Sequence, residues 1–487
     1  MQKISIMFIV SFLKISSILL SIVGVLFAIP LSFAFYYGES SVYLSFIIPM
    51  MASFIFVLAV NIPTRKFKIT MNTRQTFLIV ALSWIVVSLM GAIPMYFSGS
   101  IPRFVDALFE SVSGFSTTGS TILSEIETLP VSINMLRCLT HWIGGMGIVT
   151  LTVALMPLLG VGGFQLIKAE TTGPEKGKVT ARITTTAKIL WLIYLGFTAA
   201  EAIALRIAGM TFTDALSHAF ATLGTGGFST RNASIGSYNS VAIDVIIMIF
   251  MFLSGINFSL YFYIITRKFR DITSNSEFKA YLVIVALLVI SVTVSLRKVY
   301  GNFGESLRYG SFQVVSLMTT TGFSTADFMQ WPAATQFLLF VTFFIGGCSG
   351  STSGGVKVIR WLILGKQVHN ETNKMLHPHG VFAIRLNGRP GRKDIVFNVA
   401  AFMVVYFALV AVTTFVGCLG QLDVWSAFTG ALSMVGNIGP GYALLGPSEN
   451  FGFLPDFVKY WYGFAMLAGR LELYTMIIYF LPVYWEK

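Results

Sequence analysis

Four stretches of the chain end in small and hydroxyl-bearing residues around a glycine, groups suited to holding a dehydrated monovalent cation. They read ALFESVSGFSTTGST from Ala107, ALSHAFATLGTGGFST from Ala215, GSFQVVSLMTTTGFST from Gly310 and VWSAFTGALSMVGNIGPG from Val424. The triplets Thr117-Thr118-Gly119, Thr225-Gly226-Gly227, Thr320-Thr321-Gly322 and Val435-Gly436-Asn437 offer carbonyls and hydroxyls and no ring of acids. Rings of carbonyl oxygens can replace the hydration shell of such a cation, whereas pores for other cations often use rings of Asp or Glu. Glycine allows the backbone angles that turn successive carbonyls inward, which a Cβ obstructs. Asp106, Asp214 and Asp423 each stand thirteen residues ahead of Gly119, Gly227 and Gly436. In the third stretch Tyr309 takes that place before Gly322, with Glu305 nearby but out of register. An Asp at such a position caps a short helix and favours its positive end. Four stretches in register are expected to be copies of one unit.

Two further places carry polar chemistry inside apolar sequence. The run Gly346-Gly347-Cys348-Ser349-Gly350-Ser351-Thr352-Ser353-Gly354-Gly355 interrupts a long apolar segment. Each Gly disfavours helix by about 1 kcal/mol against Ala, so a break is expected there, either a movable gate or a static kink. It is not a phosphate-binding loop, because Lys357 follows Val356 where that motif needs Gly-Lys-Ser/Thr. Arg470 sits in AMLAGRLELYTM, two residues before Glu472. An Arg within a membrane segment costs roughly 2.5–3.5 kcal/mol and faces a partner or water. It is read either as half of a structural salt bridge or as a residue projecting into the ion path near 346–355. Glu201 fits a proton relay or a salt bridge with Arg206 or a neighbour. Arg137, His141 and Trp142 are placed at the interface end of a span. His377 and His379, one residue apart, are weak evidence for a metal and are read as an exposed loop. No paired carboxylates, nucleophile elbow or His-Glu-x-x-His appear, and no enzyme is expected.

The elements that must position these residues follow from composition. The chain has 487 residues, 55% hydrophobic and 11% charged, against about 25% charged in soluble domains. It is an all-α membrane protein. Apolar runs of roughly 20 residues fall near 5–35, 42–62, 75–98, 134–158, 187–209, 240–266, 278–297, 333–366, 395–420 and 454–483, which makes ten transmembrane helices. The four stretches, each too short to span, follow spans three, five, seven and nine as re-entrant half-helices. Basic residues cluster in 65–74, 168–188, 267–279 and 357–393, after spans two, four, six and eight. By the positive-inside rule both termini are cytoplasmic, and the net charge of +12 is a topology signal, with no nucleic acid as partner. The basic 357–393 face fits anionic lipid or an acidic partner surface. Cys138, Cys348 and Cys418 form no disulfide or zinc pattern. Two N-terminal helices in 1–72 precede four membrane-pore-membrane repeats: 73–182, 183–275, 276–393 with the broken helix and cytoplasmic loop, and 394–487. Irregular backbone at membrane depth survives only inside protein or beside water. Four such segments are best accommodated around a pseudo-fourfold central pore.

This pattern, with TTGST, GTGGFST, TTTGFST and the broken eighth span, resembles the Trk/Ktr/HKT potassium transporter superfamily over essentially the whole chain. The two added helices resemble its TrkH/TrkG type. The resemblance implies potassium uptake through a channel-like pore with a selectivity filter in a bacterial inner membrane, with potassium at the filter as the only metal. It implies a homodimer and a cytoplasmic nucleotide-binding regulatory partner of the TrkA type, with nucleotide on that partner only. It also implies a gate at Gly346, Gly347, Ser349, Gly350, Ser351, Gly354 and Gly355 restrained by Arg470, while Gly119 leans toward potassium over sodium. A sodium- or proton-coupled secondary symporter is the alternative. Such transporters often carry inverted repeats, whereas the repeats here all enter from one side.

Overall fold

A computed structural model describes residues 6–67, 72–147, 183–387, 389–390 and 395–485. Its α-helices of eight residues or more are α1 (Ile6–Leu26), α2 (Ala28–Tyr37), α3 (Tyr43–Asn61), α4 (Thr73–Phe97), α5 (Phe104–Phe115), α6 (Val131–Gly145), α7 (Ile183–Ile207) and α8 (Phe212–Leu223). There follow α9 (Val241–Ser254), α10 (Phe258–Ile265), α11 (Ser276–Tyr300), α12 (Phe303–Met318), α13 (Ala333–Thr342), α14 (Val358–Leu376), α15 (Ile395–Leu419), α16 (Val424–Gly436) and α17 (Asp456–Arg470). A minimal antiparallel hairpin, β1 (Arg385–Leu386) with β2 (Arg389–Pro390), is the sheet among the described residues.

Six helical stretches are long and apolar enough to cross a membrane: Met7–Tyr37, Ser40–Asn61, Arg74–Phe97, Thr186–Ile207, Ser276–Tyr300 and Ile395–Leu419. This is a multi-pass membrane protein. Their starts are fixed by local chemistry. Asn72 and Gln75 form a capping box at the head of α4, at 2.8 and 3.1 Å. Asn275 accepts from Phe278 N–H at 2.8 Å to open α11. Glu39, between α2 and α3, accepts the N–H groups of Val131 and Ser132 at 2.6 and 3.1 Å. The N-terminal helices thereby satisfy orphan donors at the head of α6.

Three expected spans are not continuous helices. The sixth, 240–266, bends by 93° between α9 and α10, where Asn257 caps the new helix by accepting from Ser259 N–H at 2.9 Å. The eighth breaks as expected, but α13 already ends at Thr342, and α14 carries the chain to Leu376. His369 is therefore helical and contacts Asn373 at 3.0 Å, while His377 and His379 follow the helix in the exposed segment expected for them. No cluster of metal-ligating side chains occurs among the described residues. The tenth stops at Arg470, because Glu472 and Leu473 adopt positive φ of 58° and 57°. Residues 148–158 of the fourth expected span, and most of the basic segment 168–188, lie outside the described residues.

The short helices α5, α8, α12 and α16 each pack between the long helix before them and the one after. Contacts also run onward: α6 packs on α8, α9 on α12, and α17 on α5. Between α13 and α16 the link is aromatic, with Phe340 and Trp425 rings 5.1 Å apart. Tyr442 donates to the Gln336 carbonyl at 2.8 Å beside them.

Candidate functional site

Each short helix ends in the same way. Thr117, Thr225, Thr320 and Asn437 have φ of 57°, 53°, 55° and 52°. Their N–H groups donate three residues back, and the next N–H donates five residues back, as in Thr118 to Ser113 O at 2.9 Å and Ile438 to Ser433 O at 3.0 Å. This is the Schellman termination, built on residues other than the usual glycine. A left-handed residue with a Cβ costs about 1–2 kcal/mol, and such strain persists where the surroundings over-determine it. Two residues further, Gly119, Gly227, Gly322 and Gly439 have φ of 81°, 81°, 84° and 106°.

The four glycines lie against one another's neighbours in cyclic order. A Cβ on Gly119 would overlap the Gly226 carbonyl oxygen, one on Gly227 the Thr321 oxygen, and one on Gly322 the Ile438 oxygen. A Cβ on Gly439 would meet the Thr118 oxygen, which closes the circle. Thr117, Thr118, Gly119, Thr225, Thr320 and Thr321 sit within this group, and all but Gly119 are buried.

The fourth copy differs from expectation. By conformation its triplet is Asn437-Ile438-Gly439, two residues beyond Val435-Gly436-Asn437; Val435 and Gly436 still belong to α16. The reason is the position of the acid. Asp423 is itself the cap, accepting from Ser426 N–H at 3.0 Å, whereas Asp106 and Asp214 lie three residues inside their helices, after Arg103 and Thr211. Counted from these caps, the left-handed residue comes fourteen positions later in copies one, two and four. In the third, capped by Asn302, it comes eighteen later. Asp106 takes Lys459 Nζ at 2.6 Å and Asp214 takes the Thr230 hydroxyl at 2.6 Å, so neither is the cap expected of it. Asp423→Ala is expected to destabilise the protein by about 1 kcal/mol, seen as a lower thermal midpoint in detergent. Gly304 N–H, held by Asn302 at 3.0 Å, marks the equivalent cap in copy three.

Arg137, His141 and Trp142 are buried beside the triplets, not placed at an interface. The Arg137 guanidinium pairs with Glu110 at 2.7 Å, both side chains fully inaccessible. Arg137 also donates to Asn134 Oδ1 at 3.0 Å and Ser229 O at 3.3 Å and lies 4.3 Å over the Phe228 ring. Glu110 accepts from Thr121 Oγ1 at 2.9 Å and Ile122 N–H at 3.0 Å. The pair therefore holds the strands that leave copies one and two. His141 contacts Gly114 O at 2.8 Å, and a Cβ on Gly226 would overlap its ring. Glu110 and Arg137 were readable as two charges in apolar helices, but their pairing needs the fold.

The broken segment lies under copies three and four. Its ends meet, with Gly346 N–H to Val356 O at 2.9 Å and Val358 N–H to Gly347 O at 3.2 Å. Glu277 of α11 accepts from Ser349 N–H at 2.7 Å and Ile359 N–H at 3.1 Å, one on each side of the break. Cys348 N–H donates to Gly255 O at 2.8 Å and Phe258 N–H to Gly350 O at 3.0 Å, so the break nests in the α9–α10 bend. Ser351 Oγ turns back to Cys348 O at 2.6 Å, and Gly354 N–H donates to Thr320 Oγ1 at 2.6 Å. Gly355 has φ 68° and packs on Gly346. Arg470 donates to Thr352 O at 2.7 Å and to Gly144 and Gly145 O at 2.6 and 2.7 Å. Glu472 pairs with Arg360. Arg470 thus bridges the break to the end of α6.

The family model described as TrkH, a cation transport protein, matches residues 44–487. The Trk system potassium uptake protein TrkH of Escherichia coli (strain K12) is 41% identical over 87% of this chain and 89% of its own. TrkG of the same organism is 34% identical over 94% and 95%. The crystal structure of the potassium transporter TrkH from Vibrio parahaemolyticus superposes with a TM-score of 0.85 at 35% identity, covering 98% of this chain and 100% of that one. By fold, length and sequence, the chain belongs to the TrkH family of cation transport proteins.

Proposed function

We propose that this chain takes up potassium across a bacterial inner membrane through a gated, channel-like pore, with no covalently bound cofactor. One observation carries the reading: four glycines, each in the left-handed region, abut the next copy's carbonyl in closed cyclic order. In this reading the four copies within 73–182, 183–275, 276–393 and 394–487 surround a pseudo-fourfold axis, after two helices in 1–72, with ten spans in all. The C-terminal ends of α5, α8, α12 and α16 turn their negative dipole ends toward that axis, which favours a cation. The filter is Thr117, Thr118, Gly119, Thr225, Gly226, Gly227, Thr320, Thr321 and Gly322, completed by Asn437, Ile438 and Gly439. The names of the relatives support potassium as cargo. The distribution of basic segments supports cytoplasmic termini. A homodimer and a cytoplasmic nucleotide-binding partner complete the proposal, resting on the family alone.

The gate is the segment containing Gly346, Gly347, Ser349, Gly350, Ser351, Gly354 and Gly355, held closed by Arg470. Arg470 makes charge-assisted bonds to three carbonyls, each worth about 1.5–3 kcal/mol. Arg470→Ala removes that restraint, so potassium flux should rise by about tenfold or more at equal protein density, since 1.36 kcal/mol corresponds to tenfold in rate. Unchanged or lower flux in a folded variant rejects the role.

The decisive experiment is cation uptake into liposomes holding only this purified chain. Rubidium and potassium entry with sodium nearly excluded supports the reading. Equal sodium entry removes the selectivity assigned to the four glycines. Uptake that requires an added proton or sodium gradient turns the protein into a coupled symporter.

A further inference from the structure

Between the end of α13 and the start of α14 the chain doubles back on itself, and backbone bonds close the doubled segment. Two charge-bearing side chains from other helices also reach it. Arg470 of α17 meets a carbonyl, that of Thr352, at 2.7 Å. Glu277 of α11 meets donors, and a single oxygen takes both of them. Its Oε1 accepts from Ser349 N–H at 2.7 Å and from Ile359 N–H at 3.1 Å. Ser349 lies on the outgoing limb of the break, and Ile359 is the second residue of α14.

Each of these bonds is hard to replace. N–H groups in the first turn of a helix have no partner within that helix, and an acidic oxygen beside them is favoured by the helix dipole. Ser349 and Glu277 are both buried. A buried donor that loses its acceptor keeps the whole cost of having left water. Glu277 also stands on a fixed base. It lies in the first turn of α11, opened by the Asn275 cap, and α11 packs on α12, α13 and α14. Its oxygen thus keeps its place relative to the third short helix. A break that swings away from α11 must pull Ser349 N–H off this oxygen, whereas Ile359 can stay on it as part of the head of α14.

We infer that Glu277 is a positioning residue of the gate, a latch whose Oε1 ties the outgoing limb of the break to the head of α14. Opening requires Ser349 N–H to leave that oxygen. The latch stands on its own contacts; its effect on flux rests on the gate reading proposed above.

Two native cysteines report on it. Cys348 precedes Ser349 and is buried, while Cys138 is buried in copy one with its Sγ 3.6 Å from Phe228 O. The full-length purified chain in lipid nanodiscs is treated with N-ethylmaleimide, and labelling of each cysteine is followed by mass spectrometry. The rate at each site reports how readily it opens locally. Glu277→Ala is expected to speed labelling of Cys348 by about tenfold or more and to leave Cys138 at its wild-type rate. Glu277→Leu, which fills the space without an acceptor, should behave like Glu277→Ala. Glu277→Gln, which keeps an oxygen there, should stay near the wild-type rate. A Cys348 rate in Glu277→Ala within about twofold of wild type overturns the latch. So does an equal rate in Glu277→Gln and Glu277→Ala, or a Cys138 rate that climbs in step with Cys348. Should Glu277→Ala not fold, Glu277→Leu against Glu277→Gln reads the same contrast. Rubidium uptake then reads the link to flux, and it should rise in the variants that expose Cys348. Faster labelling at unchanged uptake rejects the gate reading and leaves the latch standing.

Discussion

Gly227→Ala is expected to cut rubidium uptake by about a hundredfold or more while the protein stays folded in detergent. The added Cβ overlaps the Thr321 carbonyl oxygen, backbone that cannot yield as a flexible side chain would. The residue must also hold φ near 81°, which costs an L-residue about 1–2 kcal/mol. Relief requires the Gly226-Gly227 strand to rotate or the Thr321 carbonyl to turn away. On the proposed function, either removes a ligand from one quadrant of the ring. A barrier rise of about 2.7 kcal/mol already amounts to a hundredfold. Gly196→Ala on α7 is the control, because a Cβ there meets nothing within 4 Å and uptake should be unaffected. Uptake by Gly227→Ala within twofold of wild type would sink the proposal that these carbonyls line the ion path.

The second large effect concerns stability. Glu110→Ala should destabilise the chain by about 3–5 kcal/mol, the usual consequence of leaving one member of a buried ion pair alone. Arg137 would remain fully inaccessible with its carboxylate gone, and Thr121 and Ile122 would lose their acceptor. Removing both charges with a shape-matched pair, Glu110→Leu with Arg137→Met, should recover much of the loss, because the desolvation cost disappears with the attraction. Denaturant unfolding in detergent measures both. If the double variant is as unstable as the two single losses added together, the residues do not act as a pair.

The sequence carried the long helices well, since unbroken apolar runs such as 278–297 and 395–420 can do little else in a bilayer. It also carried the shared ending of three short helices, because Thr117, Thr225 and Thr320 each stand two residues ahead of a glycine. It misjudged where rules of thumb compete. Aligning the copies on Asp assumed one role for that residue, whereas Asp423 caps its helix and Asp106 and Asp214 serve ion pairs and hydroxyls inside theirs. The glycine aligned in the fourth copy was therefore Gly436 in place of Gly439, three residues early. Arg137 read as interfacial because polar residues at a span's start commonly are; nothing local shows that residues 116–130 fold over it. The bend after Gly255 lies in a segment whose hydropathy stays high on both sides, and hydropathy does not report helix continuity. Ile438, an apolar residue among hydroxyls, gave no signal, because it contributes through its backbone.

The third short helix is longer than its counterparts by four residues between cap and left-handed turn. Four residues add about 6 Å of rise and advance the helix by a little over one revolution. The addition lies at the end away from the glycines, and the termination at Thr320 matches the others. Duplicated units of this kind can diverge in size at their outer rim in whole turns while the inner ends stay in phase. What the protein presents to its surroundings can thus drift without disturbing the glycine-carbonyl ring to which the proposed function assigns discrimination between ions.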